Sequence, residues 1–107
     1  MMNPNDLENL DSEILKTLLE PLFDDFQHWF GKSIDRLEEK AIPGLSSEEQ
    51  SELLQTVKKS LQEVNAAQAL FRATDGQAGV DTKVIMEWHR LVTQCWHVIV
   101  RASRSET

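Results

Sequence analysis

Three histidines, one cysteine and a few closely spaced acids are the residues of this 107-residue chain with chemistry to offer. His28, His89 and His97 could ligate a metal or a haem iron only if they converge on one pocket. Helical spacing of about 100° per residue argues against convergence. His28 points roughly opposite the centre of its apolar face, His97 roughly opposite its own seam, and only His89 stands on a flank. Asp25-x-x-His28 has the spacing of a di-iron bundle site, which needs a second carboxylate-x-x-His. Met86 precedes His89 and Gln94 precedes His97, so that second half is missing. Asp75-x-Gln77-x-Gly79-x-Asp81 opens like a calcium loop, but such a loop needs Gly at its sixth position and Glu at its twelfth. Val80 and Met86 stand there instead. The segment reads as a turn, with Gly76 and Gly79 supplying permissive backbone and Asp81 capping the next helix. No metal site is expected.

Catalytic groups fare no better. Cys95 falls on an apolar seam, where a thiol has a raised pKa and is inert, and neighbouring His97 faces away from it. Ser46 and Ser47 read as helix caps. The chain has no glycine-rich phosphate loop and no pair of acids placed for a cleft. The expectation is a protein that is not an enzyme.

Composition narrows the partners. Residues 1–56 carry 13 acids and 4 bases, a net of −9, and residues 57–107 carry 5 acids and 7 bases, a net of +2. The whole chain is at −7, and its bases form no single stripe, so nucleic acid is not an expected partner. No apolar run approaches the roughly 20 residues of a membrane span. The opening MMNPNDLENLD lacks the basic and apolar regions of a secretory signal, and a lone cysteine suits a reducing compartment. A cytoplasmic location is the expectation.

The elements that position these residues are helices. Ile42-Pro43-Gly44 and Asp75 to Gly79 are loop signals that divide the chain in three. The first segment, about 11–40, places Ile14, Leu15, Leu18, Leu19, Leu22, Phe23, Phe26, Trp29, Phe30, Ile34 and Leu37 on one broad face, with Asp11 or Ser12 as N-cap. Pro21 lies inside it, deletes a hydrogen bond and crowds the carbonyl of Thr17. Since the apolar face continues in phase, a kink is favoured over a new helix. The second helix, about 47–74, opens on a capping box, Ser46 with Glu49 or Ser47 with Gln50. Its seam is Gln50, Leu54, Val57, Leu61, Val64, Gln68 and Phe71, and Gly76 caps its end. The third, about 82–102, starts at Asp81 or Thr82 and has its seam at Ile85, Trp88, Val92, Cys95, Ile99 and Ala102. Residues 1–9 and 103–107 are expected to fray. Three amphipathic helices with short loops predict an all-α, single-domain, elongated up-down-up antiparallel bundle with a proline-kinked first helix.

Two helices carry more apolar surface than three-helix packing needs. Leu91 and Val98 flank one side of the third seam, Trp96 and Val100 the other. On the second helix Ala66, Ala69, Leu70 and Ala73 form a second face whose small residues admit close approach. These eight residues are the candidate contact surface for a protein partner or a second copy of the chain. An alternative use of the bundle is to hold haem or another tetrapyrrole, with His89 as axial ligand and Trp88, Trp96 and Phe71 as flat walls.

Three phrases also carry a family likeness: Leu19-Glu20-Pro21-Leu22 with Asp25-Phe26-Gln27-x-Trp29-Phe30; Ala67-Gln68-Ala69-Leu70-Phe71-x-Ala73-Thr74-Asp75-Gly76-Gln77-x-Gly79-Val80-Asp81; and Trp88-His89-x-Leu91-Val92-x-x-Cys95-Trp96. Over roughly residues 13–100 the chain resembles a family of small cyanobacterial proteins catalogued as a domain of unknown function. The resemblance implies a small helical domain in a cyanobacterial cell, with no activity or ligand to transfer. In such a cell a protein of this kind could sit beside thylakoid-associated complexes, phycobilisomes or the carbon-fixation machinery.

Overall fold

The computed structural model describes the backbone of residues 4–106 and the side chains of residues 13, 14 and 16–104. It consists of α1 (Pro4–Glu39), α2 (Ser47–Ala73) and α3 (Thr82–Glu106), with no strand among the described residues. The molecule measures 61 × 22 × 18 Å, the proportions of a long bundle.

Each helix contributes a heptad seam. On α1, Leu19, Phe23, Phe26, Phe30, Ser33 and Leu37 are buried at alternating steps of four and three. On α2 the buried set is Leu53, Val57, Val64, Gln68 and Phe71, and on α3 it is Trp88, Leu91, Cys95, Val98 and Ala102. This 3.5-residue rhythm keeps one side of each helix turned to its neighbours along its length. Aromatic edges key the layers: Phe23 meets Phe71 with ring centres 5.6 Å apart, and Phe26 meets Trp88 at 5.5 Å, both edge to face. Burying each such side chain contributes about 1.5–3 kcal/mol.

The helix ends follow from local chemistry. Ser46 and Glu49 form the capping box, each side chain bonded to the other's backbone N–H at 3.0 Å. Gln50, the other register's partner, bridges back to α1: its Nε2 donates to the Leu37 and Lys40 carbonyls, and its Oε1 accepts from Ile42 N–H. That satisfies backbone groups that the end of α1 leaves open. α2 closes in a Schellman turn, with Gly76 N–H on the Phe71 carbonyl at 2.7 Å and Asp75 N–H on the Arg72 carbonyl at 3.2 Å. Asp75 takes the left-handed conformation there, φ 53°. Asp81 caps α3 by accepting from Lys83 N–H at 2.9 Å.

Several boundaries differ from the sequence reading. α1 begins at Pro4, which suits a first helical turn, so Asp11 and Ser12 lie inside the helix. α3 continues to Glu106 because no breaker follows Ala102, and the ends expected to fray are helical over 4–9 and 103–106. Residues 1–3 and 107 lie outside the described residues. α1 runs as one helix through Pro21. It packs most closely along α2, less so along α3, while α2 and α3 touch little. They are tied instead by Trp88 Nε1 donating to Glu63 Oε2 at 3.4 Å, and both residues line an open groove of about 380 Å³ together with Lys59, Glu87 and Arg90.

Candidate functional site

The largest departure from the expected packing is where the apolar surplus lies. α3 is rotated so that Leu91 and Val98 face the gap between α1 and α2, and they are 8% and 9% exposed. Both were expected on the contact surface and are core residues. Val92 and Ile99, expected on the seam, are half-buried at its edge. α1 shows the same effect. Its buried row centres on Phe23, Phe26 and Phe30, which leaves Ile14, Leu18, Leu22 and Trp29 on an outer flank.

That flank meets its counterpart on α3. Trp29 and Trp96 lie edge to face with ring centres 5.7 Å apart, and His28 sets its ring 5.5 Å from that of Trp29. Trp96 remains 51% exposed despite this contact. Seven residues earlier on each helix, Leu22 and His89 line an open apolar groove of about 420 Å³ with Phe26, Ile85 and Met86. α1 and α3 run in the same direction, so a seven-residue step on both carries the groove about 10 Å along to the tryptophan pair. Ile14 and Leu18 extend the row upstream at steps of four. Leu18 and Met86 are both 58% exposed. The result is one apolar face, two helices wide, with Asp25 between Leu22 and Trp29 on the α1 side and Arg90 bordering the groove on the α3 side.

Of the other expected contact residues, Ala66, Ala69, Leu70 and Ala73 are exposed on α2, and Val100 is half-buried. The α2 group forms a separate patch near the α2–α3 loop. The residues named for a tetrapyrrole do not gather. Phe71 and Trp88 are core, packed on Phe23 and Phe26, and neither they nor Trp96 line the groove that His89 borders. His28, His89 and His97 are all exposed, and among the described residues no three His, Cys, Asp or Glu side chains gather as a metal set.

Polar contacts fix the pole where the face begins. Lys16 Nζ bonds Asp75 Oδ1 at 2.9 Å and Glu13 Oε1 at 3.4 Å, and the Asp75 bond chiefly holds the lysine above its ordinary pKa. Ile14, Leu18, Leu22, Trp29 and Met86 were not singled out by sequence as surface. The available signal was the width of the α1 apolar arc, which exceeds what two neighbouring helices can cover.

No helix of the described residues is long and apolar enough to cross a membrane. The chain belongs to the family described as Protein of unknown function (DUF2605), whose profile matches residues 9–104. No curated protein and no solved structure matches it.

Proposed function

We propose that this protein is a non-enzymatic interaction module that docks another polypeptide on the apolar face of α1 and α3. The observation that supports this is the Trp29–Trp96 pair, held edge to face at the surface and continuous with exposed Leu18, Leu22 and Met86. Tryptophan pairs of this kind are large, rigid anchors, and contiguous exposed apolar surface on a small protein marks a contact site. The chain's net charge of −7 disfavours an anionic lipid surface as the occupant. The test is affinity capture from native lysate with three baits: wild type, Trp96→Asp and Leu70→Asp. Loss of a stoichiometric captured protein with Trp96→Asp but not with Leu70→Asp, both baits keeping wild-type helicity, supports the α1–α3 face. Loss with Leu70→Asp alone moves the docking site to α2 and refutes this assignment.

A further inference from the structure

Resting on that reading, we infer that the occupant of the α1–α3 face is an acidic amphipathic helix of another protein. At cellular ionic strength a charge acts over about 8 Å, so the groups bordering the face govern its contacts more than the chain's total does. The acids of α1 are unevenly placed. Glu20 pairs with Arg72, Glu38 pairs with Lys58, and Asp24 accepts from Gln68, so these three turn toward α2. Asp35, six residues on from Trp29, falls on the outer side of the helix. The flank beside Trp29 carries Lys32 three residues on and Arg36 seven residues on, against Asp25. On α3, Arg90 borders the apolar groove as well as the groove toward α2. Among the described side chains of α3 the one acid is Glu87, which lines the groove toward α2. A chain of net −7 thus presents one apolar face bordered by Lys32, Arg36 and Arg90 with Asp25 as the opposing charge.

The width of the face selects the occupant. A single helix, about 10 Å across, lies on the groove and meets this border alone. A membrane, or a broad acidic surface, also meets the acids elsewhere on the bundle and is repelled by them. The relief fits a helix too. Leu22 stands level with His89, and Trp29 with Trp96, so the two heights recur about 10 Å apart, the rise between i and i+7 of an occupant. From Ile14 to Trp29 the face is about 22 Å long, which holds about four helical turns. Apolar residues of the occupant at i, i+3 or i+4, and i+7 fill the groove, and acids beside them meet Lys32, Arg36 and Arg90.

The test adds charge-reversed baits to the lysate capture, each checked for wild-type helicity. Lys32→Glu with Arg90→Glu should lower the yield of the Trp96-dependent protein about tenfold. Lys58→Glu with Lys59→Glu makes the same change in net charge on α2 and should leave the yield unchanged. If Trp96→Asp unfolds, Leu18→Glu at a 58% exposed position takes its place. A zero-length carbodiimide should then couple Lys32 to an Asp or Glu of the captured protein. The coupled segment, made as a synthetic peptide without tryptophan, should gain helicity and shift the Trp29 and Trp96 emission of the purified chain. Capture that depends on Trp96 but is indifferent to Lys32→Glu with Arg90→Glu overturns the acidic helix and leaves the docking face standing. Equal loss with the α2 pair does the same, since total charge is then the cause. Sedimentation of the chain with phosphatidylglycerol–phosphatidylcholine vesicles, lost on reversal of Lys32 and Arg90, makes the occupant a lipid surface and overturns the peptide. An eluate with no Trp96-dependent protein overturns the face as well.

Discussion

Glu20 on α1 and Arg72 on α2 are joined by a paired hydrogen bond, Nε to Oε1 at 3.1 Å and Nη2 to Oε2 at 2.9 Å. The pair ends a polar ladder down one side of the α1–α2 seam. Gln68 Nε2 approaches Glu20 Oε2 at 3.4 Å, and Gln27 Nε2 donates to Gln68 Oε1 at 2.7 Å and Asn65 Oδ1 at 2.9 Å. Gln68 is buried at a position where an apolar residue would also pack. A polar residue there sets register, because sliding α2 by one turn would bury it away from Gln27 and Glu20.

The arginine's hydrogen bonds, more than its charge, hold the Glu20 carboxyl below its ordinary pKa of 4.5. A carboxyl with a lower pKa folded than unfolded adds stability above the unfolded value and loses it as pH falls through the folded one. The melting temperature of wild type should therefore exceed that of Glu20→Gln by a constant margin from about pH 7 to about pH 5, and the margin should close below pH 4.5. Glu49 is lowered in the same direction by the Ser46 backbone N–H, so Glu20→Gln should keep a residual acid slope. A margin that persists unchanged at about pH 2 would show that ionisation of Glu20 is not its source.

Burial separates two apolar residues that a helical wheel alone does not rank. Phe30 is fully buried, stacked at 6.0 Å on Phe26, while Leu70 is 58% exposed. Phe30→Ala should cost about 3–5 kcal/mol in denaturant unfolding, a large share of a small domain's stability. Leu70→Asp should cost only about 1 kcal/mol, from lower helix propensity and an acid in the last turn of α2. A large loss from Leu70→Asp would place it in the core and contradict the packing described.

The helices, the Ser46–Glu49 capping box, the Asp81 cap and the Val57–Val64–Phe71 seam were legible in the sequence, because period, caps and turn residues are local signals. What was not legible was which part of a wide apolar arc turns inward. On α3, Leu91 and Val92 are both plausible seam positions, and only the position of α2, whose Lys59 and Glu63 line one groove with Leu91, decides for Leu91. The same ambiguity hid Leu18, Leu22 and Trp29, placed on one broad α1 face together with Leu19, Phe23 and Phe30, which alone of these turn inward. The second role of Gln50 was invisible for a related reason: its partners at Leu37 and Ile42 come from another helix and its loop.

Gly76 is the backbone position least open to change. Its φ is 80°, and a Cβ there would fall 2.7 Å from Lys16 Cε and 2.8 Å from Lys16 Cγ. Gly76→Ala should destabilise by about 1–2 kcal/mol from the left-handed backbone alone, and should also push Lys16 off Asp75. Gly79, three residues on, has open space around it and no such φ. Gly79→Ala should be neutral or stabilise by up to about 1 kcal/mol through the unfolded state. Equal effects at the two positions in thermal melts would refute a special role for Gly76.

Cys95 gives a clock for opening of the bundle. It is buried beside Ser33, and desolvation pushes its thiol above the ordinary value of 9.0, with the Ser33 side chain pulling weakly the other way. A thiol kept neutral in the fold but free to ionise when unfolded makes stability fall as pH rises past 9.0, since the unfolded chain then holds fewer protons. The difference between wild type and Cys95→Ala should therefore shift against wild type above that pH and be flat below it. The same burial makes attack by an aromatic disulfide reagent at about pH 8 wait for opening of the α1–α3 packing, because the thiolate is the nucleophile. The labelling rate should rise with denaturant in step with the opening equilibrium. It should rise in Phe30→Ala, which loosens the core next to Ser33, and stay at the wild-type value in Leu70→Asp. Immediate labelling of the native protein, as fast as a free thiol, would mean that Cys95 is reached from solvent without any opening.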